Sequence, residues 1–413
     1  MQDFVQETIH NTAPAVSARL KAVITELPSS KPERHEESGL CPLVGRVAFS
    51  QDNKESEEMA EFRTFQKATR NHAEPMQPVI DPAAWTATEL ADVSTWSYRL
   101  TADDRQQLVA GVKSFKSTGR AIEEVDEDSF PLRDFAEVLE DVHSELTDGR
   151  GIVMLRNFPV DELDREGCAI AYLGIGSYIG QTMSQNKQGH ILGHVKDLGG
   201  DYSDANTRGY MTAAEMRFHA DACDYVGLLC LNTSMSGGAS RVASSVTVYN
   251  RMLEKRPDLV EVLTQDFYRS RSGENNPGED PWFKQPIFSF TDGYFSATGA
   301  GAAIDKAQGL PGVPLYTSAQ KEAVELYRQT VEECAVDIGF EPGDIQFLNN
   351  FVTLHTRREY RDWPEESRKR HLLRLWLSDP EGRPIPRDQR EGRSGRGVQL
   401  AGVKFIAPLD VHA

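Results

Sequence analysis

Apolar and polar positions divide the chain into two textures. Up to about residue 75, charged and small polar side chains dominate and no apolar period persists; residues 29–38 (SSKPERHEES) read as linker. This part is expected to be a polar extension, partly mobile or wrapped on the surface. Periodic patterns begin near Trp85. Over residues 101–116, Leu108, Val109, Val112 and Phe115 recur at helical spacing behind Thr101, with Asp103 and Asp104 in the first turn. Residues 149–156 read as a turn entering a strand, and 163–180 as a helix ending near Gly180. Two helical pieces are expected near 247–264, with Pro257 opening the second. Another spans 318–336, where Thr317 and Gln320 form a capping box ahead of the stripe Ala323, Leu326, Tyr327, Val331 and Cys334.

From about 211 onward the remaining segments read mainly as strands. Residues 226–231 (VGLLCL) form a short apolar run of the buried-strand kind, and 236–240 (SGGAS) a turn. Pro342-Gly343-Asp344 turns into a strand in which Ile345, Phe347 and Asn349 share one face. The last clear strand is 370–377 (RHLLRLWL). Its alternation puts Arg370, Leu372, Arg374 and Trp376 on one side and His371, Leu373, Leu375 and Leu377 on the other. The tail from about 379 reads as irregular. The fold class is therefore α+β, mainly β, with flanking helices. One domain is expected over 76–413, after the 1–75 extension.

Composition narrows the function classes. A hydrophobic share of 39% is enough for a sizeable core. No run of about eighteen apolar residues predicts a membrane span, and residues 1–7 do not read as a secretory signal. Five cysteines at irregular spacing give neither a disulfide framework nor a CxxC zinc motif; free thiols point to a reducing, cytoplasmic setting. A formal net charge of −18 argues against nucleic acid as a partner. A small-molecule substrate is expected, and a homo-oligomer is left open.

The sharpest chemical signal is Phe218-His219-Ala220-Asp221. In an extended segment, residues two apart present an imidazole and a carboxylate to the same point. HxD alone is weak, since most such pairs are surface contacts. His355 lies beyond the 343–350 strand and offers a third ligand; its alternative is a hydrogen-bonded loop histidine. Two histidines and a carboxylate would leave positions open on iron(II) for a chelating co-substrate and O2. Arg370 and Arg374, projecting from one strand face beside an indole, need an anion or water. They fit the far carboxylate of 2-oxoglutarate or a solvated edge strand about equally. For Ile345, Phe347 and Asn349, substrate contact and, for the two apolar residues, core packing both stand. Gln185, Asn186 and His194 suit either a lid or a solvated loop.

HxD, distal His and downstream arginines, in this order, resemble the taurine dioxygenase (TauD/TfdA-like) family from roughly Trp85 to Leu377. The resemblance implies a double-stranded β-helix, a cupin-like jelly roll, with iron(II) on His219, Asp221 and His355. It implies that Arg370 grips the C5 carboxylate of 2-oxoglutarate and that Ser240, after the Gly237-Gly238 turn, contacts the same molecule. Arg374 is implied to lie near the substrate or co-substrate carboxylate. A carboxylate at Asp221 disfavours halogenation. The wording of residues 224–231, 249–250 and 370–377 is similar to a fungal branch of the family. Many of its members act in secondary metabolism, and oxygenases that close an aziridine ring on valine-like amino acids belong to it. The activity implied is oxidation of a C–H bond of a small, carboxylate-bearing substrate, by hydroxylation or ring closure. Two other classes stay open: a cupin-like zinc hydrolase on the same three ligands, which leaves the arginines unexplained, and a non-catalytic barrel-fold binding protein.

Overall fold

The computed structural model describes residues 69–200, 212–390, 397–398 and 400–411, so the expected extension lies outside the described residues up to 68. From residue 69 the chain is tied down: Arg70 pairs with Asp81 and Asp148, and Ala73 is buried. Strand β1 (Ser97–Arg99) is followed by helices α1 (Ala102–Thr118) and α2 (Asp134–Thr147), strand β2 (Ile152–Arg156) and helix α3 (Arg165–Ser177). Next come β3 (Gln181–Thr182), β4 (Leu192–Val195), β5 (Tyr225–Asn232), β6 (Ser236–Gly237) and β7 (Ser240–Ser244). Helices α4 (Ser245–Lys255) and α5 (Pro257–Leu263) lead to the hairpins β8 (Asp266–Ser270)/β9 (Trp282–Pro286) and β10 (Phe288–Thr291)/β11 (Tyr294–Ala297). Helices α6 (Ala302–Ala307) and α7 (Ser318–Cys334) precede β12 (Val336–Ile338), β13 (Ile345–Asn349), β14 (Thr353–Arg357), β15 (Tyr360–Arg361) and β16 (His371–Ser378). Helix α8 (Arg387–Arg390) lies in the tail.

Local chemistry sets the helix ends. Thr101 and Asp104 exchange side-chain and backbone bonds at the start of α1, and Thr317 and Gln320 do the same for α7. Pro257 occupies the first turn of α5. The larger sheet runs β1-β2-β13-β5-β16-β3, with β4 also on β16; the smaller runs β12-β7-β14. Their inner faces meet in one apolar cluster, where Ile152, Met154, Val226, Leu348 and Trp376 of the larger sheet pack with Val242 and Ile338 of the smaller. This is the two-sheet architecture expected of a jelly roll. Helices α1–α3 cover the outer face of the larger sheet, and α4, α5 and α7 pack behind the smaller one. The described cysteines are free and buried, and no described helix is long and apolar enough to cross a membrane.

One expectation fails at β13. Ile345 and Phe347 point into the helix-covered core, where Phe347 lies 6.4 Å from Tyr172 by ring centroids. Asn349 is fully buried and donates to the Leu146 carbonyl at 2.9 Å. These three are therefore core residues, not substrate contacts. Gln346 and Leu348 are the inward pair: Ser240 Oγ donates to Gln346 Oε1 across the sandwich at 3.0 Å, and Leu348 joins the inter-sheet cluster. Strand alternation is right; the face assignment is reversed.

Polar residues also sit on the outer face of β16. His371 Nε2 lies 2.8 Å from His194 Nδ1, and its Nδ1 lies 3.2 Å from Arg165 Nη1. Burial, reinforced by Arg165, pushes the His371 imidazole down to about 3. An unfolded histidine titrates near 6.5. Below that pH the unfolded chain takes up a proton that the folded chain refuses until about 3, so stability falls as pH drops through this window. The expected slope for one such group is about 1.4 kcal/mol per pH unit. Urea unfolding at pH 7, 6, 5 and 4 should show a shallower acid loss for His371→Gln; an unchanged slope would clear this histidine.

Candidate active site between the sheets

Two reciprocal backbone bonds build the site. His219 N donates to His355 O at 3.0 Å and His355 N to His219 O at 2.9 Å, adding the 219 segment to the edge of β14. The imidazoles stand 4.4 Å apart by centroids. Asp221, two residues on, returns to the same side, and its backbone N–H donates to Asn350 Oδ1 at 2.9 Å. His219 Nε2 lies 3.9 Å from Asp221 Oδ1, and His355 Nε2 lies 3.7 Å from Asp221 Oδ2. All three ligand atoms fall within 4.8 Å of one another.

The electrostatics favour lone pairs aimed inward. His219 Nδ1 donates to the Arg217 carbonyl at 2.9 Å, so in the neutral ring the lone pair sits on Nε2. Burial and the neighbouring His219 push His355 down to about 3, so its imidazole is neutral. Burial alone would raise the Asp221 carboxyl. Arg374, the two histidines and the indole outweigh it and hold the group below its usual range. Trp376 Nε1 donates to Asp221 Oδ2 at 2.9 Å, and Arg374 Nη1 lies 3.6 Å from the same oxygen.

Arg370 and Arg374 both face inward from β16. A cavity of about 50 Å³ is lined by Ser240, Arg370, Arg374, His219 and His355. Arg370 is 5% exposed, its Nη1 has no partner, and it forms no ion pair among the described residues. The turn at Gly237 and Gly238, both at φ 74°, brings the chain against it; a side chain at Gly237 would meet the Glu359 carbonyl at 2.5 Å. A larger cavity of about 290 Å³ is lined by Asp221 and Trp376 and shares Met216, His219 and Arg374 with the small one.

The model of the Taurine catabolism dioxygenase TauD, TfdA family matches residues 114–376. The chain belongs to this family. It is an iron(II)- and 2-oxoglutarate-dependent dioxygenase, and this decides against the zinc hydrolase. FR-33289 synthase of Streptomyces rubellomurinus is 29% identical over 324 residues, covering 75% of this chain and 93% of the relative. The taurine hydroxylase-like protein SAT17 of Stachybotrys chartarum is 27% identical over 314 residues, covering 73% and 80%. An asparagine oxygenase solved with Fe(II), 3-hydroxyasparagine and succinate shares the fold at TM-score 0.55, with 18% identity over 74% of this chain and 98% of its own. The non-heme iron oxygenase OrfP, solved with Fe and alpha-ketoglutaric acid, does so at TM-score 0.53 and 15% identity, over 74% and 100%.

The dioxygenase's own side chains fit that chemistry. Three donors separated by more than hydrogen-bond distance, two of them bare imidazole nitrogens, suit a shared cation. The orphaned Nη1 of Arg370 suits a carboxylate. Several supporting residues were not singled out as such from sequence. Trp376 and Asn350 hold Asp221, Gln346 holds Ser240, and Gln185, considered for a lid, is instead buried. Gln185 Oε1 accepts from Arg374 Nε at 2.8 Å, and its Nε2 donates to the Ile191 and Arg374 carbonyls. A buried amide anchoring a guanidinium carries no period or motif; a polar residue just before a strand partner of β16 is its sole trace. Gln185→Leu should cost about 1–3 kcal/mol by removing a buried charge-assisted acceptor. Urea unfolding measures it, and a loss under 0.5 kcal/mol, well below the order of magnitude expected of such a bond, would show that Arg374 re-pairs.

Proposed function

We propose that this dioxygenase oxidises a C–H bond of a small carboxylate-bearing substrate of the amino-acid kind. The observation that carries the reading is the His219–Asp221–His355 cluster within 4.8 Å, standing beside the buried, unpaired Arg370. His219 Nε2, His355 Nε2 and the Asp221 carboxylate would hold iron(II). When bound, iron with 2-oxoglutarate and O2 supplies the oxidising power to break an unactivated C–H bond. Arg370 pairs with the far carboxylate of 2-oxoglutarate, and Ser240, steadied by Gln346, lies on the same cavity wall. Trp376 and Arg374 keep Asp221 ionised and oriented. Arg374, on both cavities, contacts the substrate side as well as the co-substrate side.

Asparagine oxygenase and the OrfP complex with (3S)-hydroxy-L-Arg support the amino-acid class, as fold relatives with hydroxylated amino acids bound. The finer outcome is either an added hydroxyl or a ring closed by a neighbouring nitrogen, an aziridine in the case of a valine-like substrate. Product mass separates them: one oxygen gained, or two hydrogens lost. The test is succinate release on admitting O2 to the iron- and 2-oxoglutarate-loaded enzyme with a panel of amino acids. Stimulation by neutral apolar compounds alone would sink the substrate class.

His219→Ala, Asp221→Ala and His355→Ala should each abolish turnover while keeping the fold, judged by circular dichroism. Near-normal succinate production by any one removes that residue from the ligand set. For Arg370→Leu, loss of a charge-assisted pair worth roughly 1.5–3 kcal/mol means 2-oxoglutarate binding weaker by about ten- to a hundredfold or more. Lysine there should rescue it partly, because an ammonium lacks the planar fork. Anaerobic titration of the visible charge-transfer band reads both variants. Should Arg374→Leu lose co-substrate affinity while Arg370→Leu keeps it, the two roles are reversed.

A further inference from the structure

The larger cavity contains a second buried guanidinium with no anion. Arg269 lies on β8, in the insertion between β7 and β12, outside both sheets of the sandwich. It is 5% exposed. Its Nη2 donates to Thr298 Oγ1 at 2.7 Å and to the Gly299 carbonyl at 2.8 Å, and Nη1 reaches the Thr298 carbonyl at 3.5 Å. Nε has no partner, and no carboxylate of the described residues pairs with the group. Two further buried arginines, Arg383 and Arg241, have carboxylate partners. Arg383 sits 2.6 Å from Asp81, and Arg241 is held by Glu332 and Asp337. Burying a guanidinium without a counter-ion is costly, and a fold that does so is prepared for an anion from outside.

Arg269 is placed to meet one. The 298–301 segment that it grips runs against the first histidine: a Cβ on Gly301 would lie 3.0 Å from His219 Cβ. Arg269, His219, Asp221 and Trp376 line the same cavity. Gln389 of α8 also lines it, buried, with both amide atoms unpartnered. Arg217, itself paired with Asp305 at 2.9 Å, Arg271 and Lys306 also line the cavity, alongside the carboxylates of Asp221 and Glu274. Arg374, by contrast, is already engaged by Gln185, lies over Trp376 at 4.9 Å and faces Asp221.

We propose that Arg269 is the residue that anchors the substrate's carboxylate, with Gln389 reading a polar group beside it. The proposal deepens the function proposed above and rests on its substrate class. Both residues lie in parts of the chain outside the two sheets, so they set specificity without touching the iron or co-substrate positions. The guanidinium, whose pKa burial lowers to about 10, remains cationic at neutral pH.

The experiment uses the full chain with Arg269→Gln and Arg269→Lys. The probes are L-asparagine, L-arginine and L-valine, their C-terminal amides, and taurine as a carboxylate-free anion. Two readouts are taken: the anaerobic shift in melting temperature of iron- and 2-oxoglutarate-loaded protein, and substrate-stimulated succinate release. A retained charge-transfer band shows that each variant has kept the loaded site. The expected result is that at least one free acid, and not its amide, stabilises and stimulates the wild type. Arg269→Gln should raise the KM for that acid at least tenfold with unchanged 2-oxoglutarate affinity, and Arg269→Lys should recover part of the loss. An unchanged KM in Arg269→Gln overturns the anchor and leaves the substrate class standing. Taurine acting in place of the acids, and lost in Arg269→Gln, overturns the substrate class and the carboxylate assignment while keeping the anion site. No shift with any anion in the wild type, or equal response to acids and amides, overturns the proposal outright. Loss of the charge-transfer band in both variants assigns Arg269 to the integrity of the loaded site and also overturns it.

Discussion

The paired backbone bonds between His219 and His355 are the constraint on which the rest of the site depends. A residue opposite another in an antiparallel bridge has its side chain on the same face, so two imidazoles are delivered together without any side-chain contact having to hold them. Asp221 follows by the period-two rule of extended chain. Once these three are fixed, every neighbouring group has to accommodate a buried carboxylate and two bare nitrogens. Trp376 and Arg374 satisfy the carboxylate, and Gln185 in turn holds Arg374. Removing the bridge would leave each of these later contacts without its reference point.

The larger sheet has to serve two environments from the same strands. On β16, Leu373, Leu375 and Leu377 bury themselves against the helices, while Arg370, Arg374 and Trp376 face the second sheet. An apolar-only inner face would pack better but would offer nothing to an anion. The inner layer therefore divides: Val226, Leu348, Trp376 and Val242 hold the sheets together, and arginines line the adjoining cavity. A buried guanidinium whose Nη1 has no partner costs stability, which a carboxylate placed against it would restore.

How much of this was legible in the sequence follows from which signals are local. The cap at Thr101, the capping box at Thr317, Pro257 at the head of α5, and the alternation of 370–377 are one-element signals, and the structure has them as read. HxD was legible because its two ligands share a face in extended chain, whereas His355 was read only from its place beyond the 343–350 strand and turns out to lie on β14. The failure at β13 is instructive. Alternation alone does not say which face is inward, and Ile345 and Phe347 could serve either side. Gln346 decides it in retrospect, since a buried amide in a strand needs a partner that the helix-side core does not offer, and Ser240 supplies one across the sandwich. Gln185, Asn350 and Arg269 act through partners more than 25 residues away, and nothing near them in sequence marks those contacts.

On the roles proposed for them, the two arginines without a carboxylate partner would also bear on how one centre keeps two anions apart. The co-substrate and an amino-acid substrate both carry carboxylates, so a single cationic site would bind either molecule in either place. Arg370 stands immediately before the sandwich strand β16, in a cavity of about 50 Å³. Arg269 stands on the insertion, in the roomier cavity of about 290 Å³ that His219 and Asp221 also line. Size and position thus distinguish sites that charge alone cannot. Arg374 lines both cavities and lies 3.6 Å from Asp221. With anions in both cavities, a cation there would lower the repulsion between them and make simultaneous occupancy less costly than either guanidinium alone would allow.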